Sequence, residues 1–423
     1  MLLKMPHVSR TNLGEYLTSF FLIRLDTDLR DGIKLDDQLT KEEMATFVHE
    51  YLHFLQDVTT TSGLTRFNSI SKLIQTVVAG IYEAESTVTL PYRLDRPNEK
   101  NAEAELELQE FYLGSDEYVP NCIVDHIEFE RECCLDDFVP DPKGINAVNL
   151  YYNTEKAPYV FGSICIRESI SYLIEHLRFG AESRTQELPY NSCEMVCKYL
   201  YPELADRKDV LVLLAERSLA SLHSGQMFVQ LITILKQRGA AKFSLARIMS
   251  ICLDQTEYLE SAYERASQDN TRAVDFLYPP NTPFHHANLY LKRLLKGGHD
   301  YHKKYNFPMF IFLLLNERGA ELYLKTMLRE IGLPLIASRQ NETFSTEEDL
   351  SYFLVPIALY QLSYTLMPSK CYLYPYCIAA SHPCFEEAYC CYSPWKQVKK
   401  ERLCPFAAFW HHYSLSGKEI AHK

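Results

Sequence analysis

Residues Thr40–Gly63 read TKEEMATFVHEYLHFLQDVTTTSG and carry the pattern His-Glu-x-x-His at His49, Glu50 and His53. Thr40 followed by Glu43 makes a capping box, each side chain satisfying the other's backbone N–H, so the spacing predicts a helix that begins there. On a helical period His49, His53 and Gln56 share one stripe, and Met44, Val48, Tyr51, Leu52 and Leu55 share another. The stretch therefore reads as a buried helix that presents two imidazoles to one point. Two histidines four apart can ligate one Zn²⁺ at about 2.0–2.1 Å each, and the Glu between them is placed to take a proton from the attacking water. The plainer reading is a helix whose histidines are merely hydrogen-bonded.

Two histidines leave one protein ligand to find. A third His in the longer HExxHxxGxxH pattern is excluded, because Gln56 stands where that pattern needs Gly and Thr59 where it needs His. A Glu from a later helix is the other common solution. The second informative stretch is Gly162–Gly180, GSICIRESISYLIEHLRFG. Ser163 is expected to cap a helix that Gly180 closes, with Ile166, Ile170, Leu173, Ile174 and Leu177 as its apolar face. Glu168 and Glu175 lie two turns apart on a different stripe, beside Ser171 and Tyr172. Glu83, Glu168 and Glu175 are all candidate ligands at this stage. Tyr172 is a candidate catalytic residue, a donor to a tetrahedral oxyanion. His176 and His223 sit among apolar residues and read as structural.

HEYLHFLQDVTTTSGL together with RESISYLIE resembles an uncharacterised bacterial group of HExxH proteins, of the HEYxHFLQ type, that is similar to the gluzincin zinc metallopeptidases. In that group the second motif has the form Glu-Ser-x-small-Tyr-Leu-x-Glu, and the resemblance implies that its first Glu, here Glu168, is the third zinc ligand. Glu83 is then the runner-up, and Glu175 is expected either to bond a ligand histidine from outside or simply to be exposed. The resemblance covers two helices and identifies no substrate.

The rest of the chain sets bounds. With 423 residues, 47% hydrophobic and 23% charged, the composition is that of a globular protein with a sizeable core. A formal charge of −12 excludes sequence-independent binding to nucleic acid or to anionic membranes, which needs a basic footprint. The longest apolar run, Phe307–Leu315, falls well short of the roughly 20 residues that span a bilayer. The N-terminal stretch MLLKMPHVSRTNLGEY has no apolar core of the secretory kind. Thirteen cysteines, an odd number, include Cys165 and Cys252 in apolar helical surroundings. Reduced thiols and a cytoplasmic location are expected.

Along the chain, residues 15–25, EYLTSFFLIRL, read as one strand, with a second extended piece at Ile33–Leu35 and a strand edge beside the metal helix where a peptide could add. FNSISKLIQTVVAGIYEAES reads as a helix, Ala102–Gln109 as a short acidic helix, and CIVDHIEFERE from Cys122 as a strand before a turn at Pro140, Pro142 and Gly144. Helices are expected across 193–237 with a break near Ser224 and Gly225, and across Phe243–Ala266. The Pro-rich YPPNTPFHHANLY is a break, after which helical periodicity returns at Leu289–Leu295 and Tyr305–Ile331. SYFLVPIALYQLSYTLM reads as a buried helix kinked at Pro356. Cys193 and Cys197 read as buried thiols. The tail, 371–412, holds Cys371, Cys377, Cys384, Cys390, Cys391 and Cys404 with His382, His411 and His412. That density suits a structural zinc or an iron–sulfur cluster, but no CxxC pair is present and buried free thiols are the competing reading.

The sequence thus points to an α+β, predominantly helical protein with a zincin-like catalytic core over residues 1–260 and a helical, Cys-rich C-terminal unit over 261–423. The expected function is zinc-dependent hydrolysis of peptide or protein amide bonds, with Zn²⁺ on His49, His53 and Glu168, Glu50 as general base, and the substrate bound as an extended strand. Two alternatives remain: a metal-dependent enzyme that modifies peptides or cleaves a non-peptide amide, and a helical interaction protein whose HExxH is structural or degenerate.

Overall fold

The Thr40 capping box forms as expected. Glu43 N–H donates to Thr40 Oγ1 (3.2 Å) and Thr40 N–H donates to Glu43 Oε2 (2.8 Å), and helix α1 runs Lys41–Thr59. The structure is a computed structural model. It describes residues 8–10, 14–29, 39–85, 87–94, 97–132, 145–155, 157–180, 187–305, 309–314, 316–338, 343–344, 351–364, 370–379 and 387–422. The extended piece expected at Ile33–Leu35, the turn at Pro140 to Gly144, and Cys384 and His382 lie outside these.

Every residue of α1 from Ala45 to Thr59 is buried. Thr60 ends α1 and starts α2 (Thr61–Glu83). Its backbone is extended, its hydroxyl donates to Gln56 O (2.7 Å), and the same oxygen accepts the Gly63 N–H (3.2 Å). Gly63 is required at this elbow, since a Cβ there would sit 2.4 Å from Asp57 Cα. The remaining helices are α3 (Pro97–Leu113), α4 (Ser163–Phe179), α5 (Ser192–Leu200), α6 (Pro202–Ala205), α7 (Lys208–Ser218), α8 (Ser224–Gln237), α9 (Leu245–Thr256), α10 (Glu260–Leu277), α11 (His285–Tyr305), α12 (Glu317–Glu330), α13 (Val355–Tyr364), α14 (Tyr374–Ala379), α15 (Glu387–Tyr392) and α16 (Pro405–His412). Around α1 pack α2, α4 and α11. Helix α11 packs tightly on α1 at Gly298, where a Cβ would meet Val58 O at 2.5 Å.

The strands are β1 (Val8–Arg10), β2 (Gly14–Leu17), β3 (Leu22–Leu25), β4 (Thr87–Leu90), β5 (Val124–Glu132), β6 (Ile145–Tyr152), β7 (Tyr159–Val160), β8 (Leu335–Ala337), β9 (Thr343–Phe344) and β10 (Glu419–His422). One sheet has the order β1-β2-β3-β8-β9, a second pairs β5-β6-β7, and β4 pairs with β10. Helix α1 lies against β2 and β3. The single strand expected over 15–25 is a hairpin instead. The chain reverses through Ser19 and Phe21, both at positive φ (66° and 52°), so Leu17 faces Leu22. Phe21 is not of a turn-forming type, and Ser19 is only a weak one. Asp57 Oδ2, on α1, holds the turn by accepting the Ser19 N–H at 2.7 Å and the Tyr16 hydroxyl at 2.8 Å.

The stretch expected as helix over 193–237 is divided into α5 to α8, and Pro202 opens α6 at a position where its missing N–H costs nothing. Pro356 lies in the first turn of α13, after a 3₁₀ turn over Ser351–Leu354, so it starts that helix rather than kinking it. Strand pairings cross the two-unit division expected near residue 260, β10 with β4 and β8 with β3. Strand β8 pairs in parallel with β3, Leu335 beside Leu22, and one continuous apolar core takes in residues from Tyr16 to Leu415. No helix among the described residues is long and apolar enough to cross a membrane.

Candidate metal centre

Helices α1 and α4 cross with His49, His53 and Glu168 between them. Among the described residues these three are the one group of metal-ligating side chains whose ligand atoms all lie within 4.8 Å of one another, and all three are buried. The start of α4 differs from the sequence expectation. Gly162, not Ser163, is the cap, because its extended backbone lies against the Leu113–Gly114 chain, where a Cβ would meet Leu113 O at 2.3 Å. Ser163 is already inside the helix, and its buried hydroxyl makes no hydrogen bond. The end is as expected, with Gly180 left-handed at φ 67°.

Both imidazoles turn Nε2 toward the same carboxylate oxygen, Glu168 Oε2, at 3.2 Å from His49 and 3.4 Å from His53. Both turn Nδ1 outward, His49 to Glu175 Oε2 (2.9 Å) and His53 to Gln56 Oε1 (3.0 Å). The tautomer of His53 follows from its neighbours. Arg167 Nε, which can only donate, lies 3.1 Å from Gln56 Oε1, while Gln56 Nε2 donates to Arg167 O (3.3 Å). The amide oxygen therefore faces His53, Nδ1 must carry the proton, and Nε2 carries a lone pair. That lone pair faces the Glu168 carboxylate and makes no hydrogen bond. Lone pair against carboxylate is repulsive unless a cation sits between them, so the donor set fits a metal ion.

The electrostatics agree. Burial works against a charged His49, but the bonds from Glu168 and Glu175, with the charge of Glu50, outweigh it and push its pKa up to about 10. Burial lowers that of His53, against the attraction of Glu168. Glu50 is fully buried, and neither carboxylate oxygen has a hydrogen-bond partner. Burial raises its pKa well above the carboxylate range; His49 opposes this, and the charges of Glu168, Glu175 and Glu15 add to it. A pocket with so many acids around two imidazoles favours a cation.

A buried ion pair clamps the two helices. Arg167 Nη2 donates to Asp57 Oδ1 (2.6 Å) and to His53 O (3.0 Å). Replacing Arg167 with Met is expected to strand the Asp57 charge and cost about 3–5 kcal/mol, read as a lower urea midpoint. Gln56→Ala removes the group that fixes the His53 tautomer and is expected to weaken metal affinity about 10–100-fold, measured by competition with a chromophoric chelator.

Among the other expected residues, Glu175 is the outside partner of His49, as anticipated. Glu83 is exposed at the far end of α2, outside the cluster. His176 stacks on Tyr172 and His223 lies against Tyr112, neither within the cluster. Cys193 and Cys197 are buried on α5, with thiol pKa values raised by burial. Tyr172 is buried on α4, one turn beyond Glu168, and Tyr190 packs against both it and His49. Its ring centre is 6.4 Å from His49, 6.0 Å from Tyr172 and 6.5 Å from the exposed Tyr118. Sequence reading missed Tyr190, Arg167 and Asp57. The last two left a trace, since each is a charge on an otherwise buried helix and each such charge requires a partner.

No protein-family model matches this chain, and no curated protein or solved structure matches it.

Proposed function

We propose that this protein is a zinc-dependent hydrolase of peptide or protein amide bonds, with His49, His53 and Glu168 as ligands and Glu50 as general base. The observation that carries the reading is Glu50: a buried carboxylate without a hydrogen-bond partner, set between two histidines whose Nε2 atoms converge on Glu168. A His₂Glu ligand set is one that zinc peptidases use. When bound, the ion supplies a Lewis acid that acidifies water and polarises a carbonyl.

The chain's own residues do the rest. Glu175 and Gln56 hold the imidazoles in the tautomers that leave both Nε2 atoms available. Glu50, its basicity raised by burial, takes the proton from water and delivers it to the departing amine. Tyr172 is assigned the oxyanion, and Tyr190 with Tyr118 lines the approach to His49.

The reading is tested by digesting a peptide library with metal-loaded protein, with and without a chelator. Pairs of fragments whose masses sum to a parent peptide plus one water, absent with chelator, are expected. Intact but modified peptides would replace hydrolysis with a peptide-modifying reaction, and unchanged peptides would leave an interaction protein.

A further inference from the structure

Two loops far apart in sequence are tied together beside the metal centre. The Val119 N–H donates to Leu188 O and the Leu188 N–H to Val119 O, both at 3.0 Å. The tie sets Tyr118, on the first loop, against Tyr190, on the second, with ring centres 6.5 Å apart. The second loop is itself closed, since the Asn191 N–H donates to Glu187 O (2.8 Å) and Asn191 Oδ1 accepts the Glu187 N–H (3.3 Å). Tyr190 then reaches Tyr172 at 6.0 Å and the candidate ligand His49 at 6.4 Å. Exposure falls along this row of rings, from 57% at Tyr118 through 9% at Tyr190 and 5% at Tyr172 to 1% at His49. The row runs from solvent to the metal site.

Ring geometry and charge together say what the row receives. The tyrosine rings meet at 59° and 50°, so they do not close flat on one another. A tyrosine face carries the negative part of its quadrupole and attracts a cation. The charges on the two loops have the same sign. Residues 114–123 carry Asp116 and Glu117, both exposed, directly before Tyr118. Residues 187–191 carry Glu187, and neither segment has a Lys, Arg or His. On α4, Glu175 adds a carboxylate behind His49, Arg167 is paired with Asp57 (2.6 Å), and Arg178 lies in the last turn. An aromatic side chain would gain from the rings alone and an acidic one would be repelled. A basic one gains from rings and carboxylates together. Arginine fits better than lysine, because its flat guanidinium stacks on a tyrosine face and is the more weakly hydrated.

We propose that Tyr118 and Tyr190 select the substrate by receiving an arginine or lysine side chain beside the bond that is cut. The inference rests on the hydrolytic reading of the metal centre and narrows it from peptides in general to basic ones. The 6.4 Å from Tyr190 to His49 is about two residues of extended chain, which puts the selected side chain next to the reacting bond. Both tyrosines are specificity residues and take no part in the chemical step. A chain of formal charge −12 also draws basic peptides from a distance, so their capture weakens as salt rises.

The test reads binding apart from cleavage. Full-length Glu50→Gln protein loaded with Zn²⁺ is titrated with a fluorescent Gly/Ala/Ser peptide that carries Arg, Lys, citrulline, Phe or Glu at its centre. Citrulline has the shape of arginine without the charge. Arg is expected to bind best, Lys next, citrulline and Phe about tenfold more weakly than Arg, and Glu more weakly still. The quantity that decides is the Arg-to-citrulline ratio, which general damage to the fold does not change. Tyr118→Leu is expected to bring that ratio close to one and Tyr118→Phe, which keeps the ring, to preserve most of it. A ratio near one in the Tyr118 parent, a ratio that neither Tyr118→Leu nor Tyr190→Leu alters, Phe bound as tightly as Arg, or no binding of any peptide overturns the proposal. Digestion of a peptide library by the wild type separates this inference from the reading beneath it. Cuts without a basic residue beside them overturn the selection and leave hydrolysis standing, whereas Arg-selective binding without any cut keeps the basic-peptide site and removes hydrolysis.

Discussion

Glu50→Gln is expected to lower hydrolysis by about 10²–10⁴-fold while leaving metal content and the fold unchanged. Gln fills the same volume and cannot accept the proton, so the loss falls on the chemical step and not on metal binding. The same substitution should stabilise the metal-free protein. Glu50's folded pKa is raised, so what its protonated form contributes to stability is complete below the ordinary value of 4.5 and is lost as pH rises through the raised value. Gln does not titrate, and the gain in urea midpoint over wild type should therefore grow with pH. An unchanged rate for Glu50→Gln would sink the general-base assignment outright.

His49→Ala and Glu168→Ala are each expected to abolish both metal retention and activity. Glu83→Ala, on the exposed far end of α2, is expected to keep both. Elemental analysis of the three variants checks this. Metal loading should also depend on pH in a defined sense. In the metal-free protein His49 titrates at about 10, raised from 6.5. Its proton stabilises the metal-free fold fully below 6.5, and that contribution is lost as pH rises through about 10. The metal must displace this proton, so affinity should climb through the same window, with at least one proton released at neutral pH. Calorimetry in buffers of different ionisation heat measures that release, and none would contradict the assignment of His49 Nε2 as a ligand.

What could be read in the sequence was local. The Thr40–Glu43 box, the period of α1 and the placement of Glu168 and Glu175 on one stripe of α4 each depend on residues within a few turns of one another. That was enough to set two histidines on one helix and two glutamates on another, while the choice of Glu168 over Glu83 and Glu175 came from the resemblance of the two motifs. What could not be read was set at a distance. The reversal at Ser19 and Phe21 carries no Gly, Asn or Pro, and it is held by Asp57 from another element. Ser163 lost the cap because Gly162 is pressed against the Leu113–Gly114 backbone. Tyr190 reaches the site from a turn that no periodicity marks. The meeting of Cys371 with Cys390 is likewise tertiary, since it is made through the backbone and not through sequence spacing.

The parallel pairing of β3 with β8 bears on how this molecule comes into being. On a ribosome, every side chain named at the centre, from Tyr16 to Tyr190, emerges well before Leu335–Ala337 arrives to close the sheet on which α1 rests. Until then β3 has an open flank, and pairing across so long a chain is among the slower steps of folding. Under the hydrolytic reading proposed above, cutting would not begin until Leu335–Ala337 had joined the sheet, well after the ligands themselves were made.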